Sequence, residues 1–98
     1  MWYRIEFAAS ARRHLKALTA RQRSIVLDAV DRQLSHSPTT ETRNRKRLRP
    51  NSLAPWELRV ASLRIFYDVA ADRRQVNILA IAEKIGNTLL VGGNVVTL

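Results

Sequence analysis

The stretch from Pro55 to Val69, PWELRVASLRIFYDV, decides the fold. Within it Trp56, Leu58 and Val60 alternate with Glu57 and Arg59. After Ala61-Ser62 the alternation resumes as Leu63, Ile65, Tyr67 and Val69 against Arg64, Phe66 and Asp68. A period of two is the signature of strands. Two such runs separated by two small residues predict a β-hairpin, although Ala-Ser is a poorer turn pair than Asn-Gly. One face is apolar, with Trp56 as the anchor of a core and Tyr67 within it. The other carries Arg59 and Arg64, with Glu57 beside them. Guanidiniums on paired strands can point the same way, which makes this face a candidate anion site on a rigid sheet.

Outward from the hairpin, the chain reads as one strand, two amphipathic helices and, after a basic segment, further strands. Trp2 to Phe7 alternates and is rich in aromatic and β-branched residues, which predicts a first strand. From Ala8 the spacing of Ala11, Leu15 and Leu18 predicts a short helix ending near Leu18. Thr19-Ala20-Arg21-Gln22 has the pattern of a capping box and predicts the start of a second helix. Its stripe is Ile25, Val26, Ala29, Val30 and Leu34, and Pro38 prevents continuation beyond about Ser35. Helices this close in sequence form a hairpin that lies on a sheet. His14 falls on an exposed helix face and His36 in a frayed helix end, with no role assigned to either.

Residues 37–54 show no periodicity. Within them RNRKRLR, residues 43–49, places five cations in seven positions: Arg43, Arg45, Lys46, Arg47 and Arg49. The run suits either a solvated basic loop or phosphate-backbone binding, because it adjoins the strand carrying Arg59. After the hairpin, Ala71 to Arg74 predicts a polar turn. Gln75 to Ala82, QVNILAIA, predicts a strand with Val76, Ile78 and Ala80 on one face and Asn77, Leu79 and Ile81 on the other. A strand apolar on both faces is central. Glu83 to Asn87 then reads as a turn, and Thr88–Val91 and Val95–Leu98 as short strands around Gly92-Gly93-Asn94.

Composition limits what such a chain can do. A length of 98 residues, 46% of them hydrophobic, predicts one domain spanning residues 1–98. With no cysteine and only two histidines, neither a disulfide framework nor a thiolate zinc site is available, and no metal or cofactor is expected. The apolar runs are too short for a membrane span or a signal peptide, which predicts a cytoplasmic protein. Seventeen Lys and Arg against eight Asp and Glu give a net charge of +9. That field attracts polyanions: nucleic acid first, an acidic protein second, an anionic membrane surface a distant third. Fourteen of the cations are Arg, which favours bidentate contacts to phosphate or carboxylate. A GC-rich genome gives the same bias.

The element order β-α-α-β-β-β plus a tail, the basic segment, WELRVASLRIFYDV and NILAIAEK together resemble the RelE/ParE superfamily of bacterial toxin–antitoxin toxins. The resemblance covers most of the chain. It implies an α+β fold: a small, mostly antiparallel sheet with a helical hairpin packed on one face and an open basic face opposite. The RelE branch cuts mRNA in the ribosomal A site, whereas the ParE branch poisons DNA gyrase; both are neutralised by an antitoxin encoded alongside. The resemblance therefore implies a toxin that inhibits translation by ribosome-dependent mRNA cleavage, with ribosome, mRNA and a cognate antitoxin as partners, in a hetero-oligomeric complex. A gyrase inhibitor and a non-catalytic nucleic-acid-binding module are the alternatives.

Residue by residue, the resemblance assigns Arg64 to the scissile phosphate, Arg59 to the same task or to the backbone, and Lys84 as acid or clamp. Arg43, Arg45, Lys46, Arg47 and Arg49 would hold RNA. Glu57 stands where the family often has Lys or Arg, and a carboxylate flanked by cations suits an ion pair better than a general base. No Tyr or His follows Lys84, so the set is incomplete beside that of the family's active ribonucleases. An antitoxin segment that is acidic and folds on binding would offset the net charge of +9.

Overall fold

The computed structural model describes residues 2–96. Its elements are β1 (Arg4–Phe7), α1 (Ala9–Ala17), α2 (Ala20–Leu34), β2 (Arg45–Arg47), β3 (Trp56–Val60), β4 (Leu63–Ala70), β5 (Gln75–Ile85), β6 (Thr88–Val91) and β7 (Asn94–Val96). The strands form one sheet in the order β2-β3-β4-β5-β6-β7, antiparallel throughout, with β1 added parallel to β5. The α+β fold with a helical hairpin on one face is therefore as the sequence predicts.

Local chemistry accounts for the helices. Thr19 caps α2: its Oγ1 accepts from Gln22 N–H at 3.1 Å while Gln22 Oε1 accepts from Thr19 N–H at 3.0 Å, which satisfies two orphan donors of the first turn. Arg23 closes the end of α1 by donating to the carbonyls of Leu15, Lys16 and Leu18. The apolar stripes of both helices pack on Trp56, Leu58, Leu63, Ile65, Tyr67, Val76, Ile78 and Ile81. Trp56 and Tyr67 stack with centroids 6.1 Å apart. The Tyr67 hydroxyl donates to the Pro38 carbonyl at 2.6 Å, tying the loop after α2 to the core.

Four readings of the strands and loops need correction. Residues 37–54 are not all loop, because Arg45–Arg47 pair with Trp56–Leu58 as β2. Glu83–Ile85 continue β5 instead of turning, and the reversal is confined to Gly86-Asn87. The last strand is Asn94–Val96, so the predicted Val95–Leu98 runs partly outside the described residues. The fourth correction concerns the faces of β5. Opposite β4 the register steps from Phe66↔Ala80 to Tyr67↔Ile78, which leaves Leu79 as the extra residue of a β-bulge. Val76 and Ile78 share a face as predicted, and it is the helix side, but beyond the bulge the parity inverts. Ile81 joins the helix-side core while Ala80 moves to the opposite face.

Helix α1 sustains the bulge. On the edge of β5 away from β4, β1 pairs as far as Ile78 and β6 begins at Ala82, so Leu79–Ile81 have no strand beside them there. Ser10 and His14, one turn apart on α1, fill the gap: Ser10 Oγ donates to the Leu79 carbonyl at 2.7 Å and Ile81 N–H donates to His14 Nδ1 at 3.2 Å. His14, placed by the sequence on an exposed helix face with no role, instead turns its ring to the strand and caps its backbone. The contact requires the tautomer with its proton on Nε2. The ring also lies against Gly92, whose φ is +58° and where a Cβ would sit 3.0 Å from His14 Cδ2. Only glycine satisfies both the turn and that approach.

Candidate functional site

The helix-free face of the sheet holds a second apolar cluster, with Ala54, Phe66, Ala80, Ala82 and Val91 buried beneath Leu48, Leu53, Leu79, Leu89 and Val96. Beside that cluster lies a pocket of about 310 Å³ lined by Leu48, Glu57, Arg59, Arg64, Lys84, Asn87, Leu89 and Val96, at the lower end of the range for ligand pockets, about 300–1,000 Å³. All four residues read from the sequence as candidate catalytic groups line it.

Each arrives there for a structural reason. Arg59 and Arg64 are directly opposite across the β3–β4 hairpin, and residues so paired share a face. The two-residue turn forms with Ala61 at φ 53°, a conformation that costs a non-glycine residue about 1–2 kcal/mol. Arg64 braces that turn: its Nη1 donates to the carbonyls of Ala61 and Leu63, both at 2.9 Å. Glu57 lies two residues before Arg59, hence on the same face. Lys84 reaches the pocket because of the bulge. Counted by strict alternation from Val76, it would point at the helices; the extra residue Leu79 turns it to the side of Arg64.

Electrostatically the pocket is three cations around one carboxylate. Glu57 Oε2 is 3.1 Å from Arg59 Nε and its Oε1 is 3.9 Å from Arg64 Nε. The Glu57 side chain is 7% exposed, Arg64 13% and Arg59 42%, so Glu57 and Arg64 form the floor and Arg59 the rim. Opposed like charges on neighbouring strands are unfavourable, and Glu57 offsets that cost. The pocket is lined by no Tyr or His. Among the described residues no group of three His, Asp or Glu side chains could hold a metal ion.

The basic run does not form one surface. Pairing as β2 splits it by the period of a strand: Arg45 lies opposite Leu58 and Arg47 opposite Trp56, towards the helices, whereas Lys46 lies opposite Glu57 on the pocket face. Arg45 is engaged with backbone, donating to the carbonyls of Thr40 at 3.0 Å and Gln33 at 2.6 Å. Arg47 covers the Trp56 ring at 5.7 Å. Arg43 is exposed ahead of the strand, and Arg49 lines a separate groove with Pro50 and Asn51. Sequence reasoning also missed Asn87 as a lining residue. Its signal was the Gly86-Asn87 pair between two apolar runs, a hairpin turn composition.

The fold and pocket define a class: a small basic α+β protein that presents an arginine-floored anion pocket on the helix-free face of its sheet. By sequence the chain matches no protein-family model and no curated protein. By structure it is similar to a chain of the toxin–antitoxin complex RelBE2 from Mycobacterium tuberculosis, with a TM-score of 0.75 and 26% identity over 86% of this chain and 100% of that one. The chain therefore has a RelE-like α+β fold. No helix among the described residues is long and apolar enough to cross a membrane.

Proposed function

We propose that this chain is the toxin of a type II toxin–antitoxin pair and that it arrests translation in the cytoplasm by cleaving mRNA on the ribosome. The observation that carries the reading is the convergence of Arg59, Arg64 and Lys84 on one pocket of a RelE-like fold. RNA cleavage of this kind is attack of a ribose 2′-oxygen on the adjacent phosphorus: the O2′–P bond forms, the P–O5′ bond breaks, the 2′-proton leaves to a base and the 5′-oxygen gains a proton. Charge accumulates on the non-bridging oxygens, and donors fixed in advance around them lower the barrier. Arg64, braced against the turn, is such a donor, with Arg59 beside it. Lys84 neutralises or protonates the leaving oxygen. Glu57 is the one carboxylate in position to take the 2′-proton. Lys46, on the same face, and the exposed Arg43 and Arg49 contact the RNA backbone, with the ribosome supplying the remaining alignment.

Arg45 and Arg47 contribute to this reading through the fold, since their guanidiniums face the helix side. The neutralising partner is an antitoxin whose acidic segment meets the basic pocket face; the structural relative is itself a toxin–antitoxin complex. A second reading has its own support. The pocket is lined by neither Tyr nor His, so proton transfer rests on Glu57 and Lys84 alone, and a non-nucleolytic, ParE-like action on gyrase would use Arg59 and Arg64 as contact residues.

Inducible expression in a bacterial host, with mRNA 5′ ends mapped and protein and DNA synthesis pulse-labelled in one culture, decides between them. Loss of protein synthesis with new cuts inside translated codons is the expected result. DNA synthesis failing first, with mRNA intact, would transfer the chain to the gyrase reading. Growth arrest undiminished in Arg64→Ala, with the variant still folded, would remove Arg64 from the site under either.

A further inference from the structure

We propose that Glu57 is a resident anion of the pocket: its carboxylate holds the place of a phosphodiester between Arg59 and Arg64, and an incoming nucleic acid must displace it. The inference rests on the reading of those arginines as phosphate ligands. Two opposed guanidiniums in a half-buried site repel each other unless an anion lies between them. Glu57 is that anion, with one carboxylate oxygen turned to each arginine. A phosphodiester presents the same pattern to a guanidinium: two equivalent oxygens sharing one negative charge.

The consequence is selectivity by valency. A lone phosphate ion exchanges one anion for another at the arginines and gains little. A polynucleotide carries neighbouring phosphates that reach cations Glu57 does not engage, Lys84 in the pocket and Lys46 opposite Glu57 on β2, so it wins the exchange through the added contacts. Glu57 is thereby the residue that keeps an open, highly basic pocket from filling with small cellular anions. Displacement also releases its carboxylate beside the bound backbone, where the proposed chemistry needs a base.

The test is titration of the purified full chain with inorganic phosphate and, separately, with a single-stranded RNA hexamer, in wild type, Glu57→Gln, Glu57→Asp and Arg64→Ala, each checked by thermal unfolding. Removing one negative charge about 4 Å from the bound anion should tighten both ligands about tenfold. Glu57→Asp, one methylene shorter, should give a smaller gain in the same direction and serves alone if Glu57→Gln does not fold. Arg64→Ala should weaken both. Unchanged or weaker binding in the Glu57 variants, with Arg64→Ala weakened, would overturn the inference: Glu57 would then orient the arginines without competing for them. Affinity unaffected by Arg64→Ala would instead remove the phosphate site itself.

Discussion

Replacing His14 by Ala tests the link between helix α1 and the bulge that directs Lys84. His14 Nδ1 accepts the Ile81 N–H at 3.2 Å, at a point where β5 has no strand on that side. The variant leaves a largely buried backbone donor without a protein partner, a cost of about 1–3 kcal/mol. For a chain of this length each kcal/mol is worth about 5 °C in Tm, so a fall of about 5–15 °C is expected at neutral pH. The contribution also depends on pH. Burial, and secondarily the Arg13 charge, push the imidazole below its ordinary 6.5. The unfolded chain therefore binds the proton more strongly, and the stability that His14 supplies is complete above about pH 6.5 and lost as pH falls through the lower folded-state value. Thermal or urea unfolding of both proteins from pH 8 to pH 5 gives the readout. The gap between wild type and variant should narrow on acidification, a comparison in which His36 and the carboxylates cancel. Parallel profiles would refute the assignment of His14 as the acid-labile cap.

Further outcomes follow from the same structure. Tyr67→Phe removes the donor to the Pro38 carbonyl at a fully buried position and should cost about 1–3 kcal/mol by denaturant unfolding, with RNA affinity unchanged. Gly92→Ala forces a side chain into the left-handed region and against His14; a loss of at least about 1 kcal/mol is expected, partly recovered when His14 is also Ala. Arg45→Ala should lower Tm, because its guanidinium ties the Gln33 carbonyl at the end of α2 to the Thr40 carbonyl of the loop that follows. Lys46→Ala should leave Tm unchanged and reduce the salt slope of RNA binding by about one. Equal effects of the two substitutions on RNA affinity would contradict the split of the basic run across the faces of β2.

What the sequence disclosed and what it hid have a common cause. The β3–β4 hairpin was legible because its polarity alternates: Glu57, Arg59 and Arg64 stand against Trp56, Leu58 and Ile65, so period two marks both the strand and its faces. That alternation was enough to place both arginines on one surface and Tyr67 in the core. The capping box at Thr19 was legible for a similar reason, as its residue types serve few other purposes at that spacing. Strand β2 was hidden because Arg45, Lys46 and Arg47 are all cationic, and a uniformly charged run shows no period although the backbone imposes one. The bulge in β5 was hidden by the opposite uniformity. In Ile78–Ala82 every residue is apolar, so nothing marks the point at which parity changes. The information exists, but in another element: Ser10 and His14 stand four apart on α1, spaced to reach the Leu79 carbonyl and the Ile81 N–H. Helix α1 thus does two jobs that one amphipathic pattern cannot express. Its apolar stripe covers the sheet, and its polar pair stabilises the irregularity that carries Lys84 from the helix side to the face of Arg64. The position of that cation in the pocket depends on residues on the far side of the sheet, and substitutions at Ser10 and His14 should reach the site through the backbone of β5 without touching it.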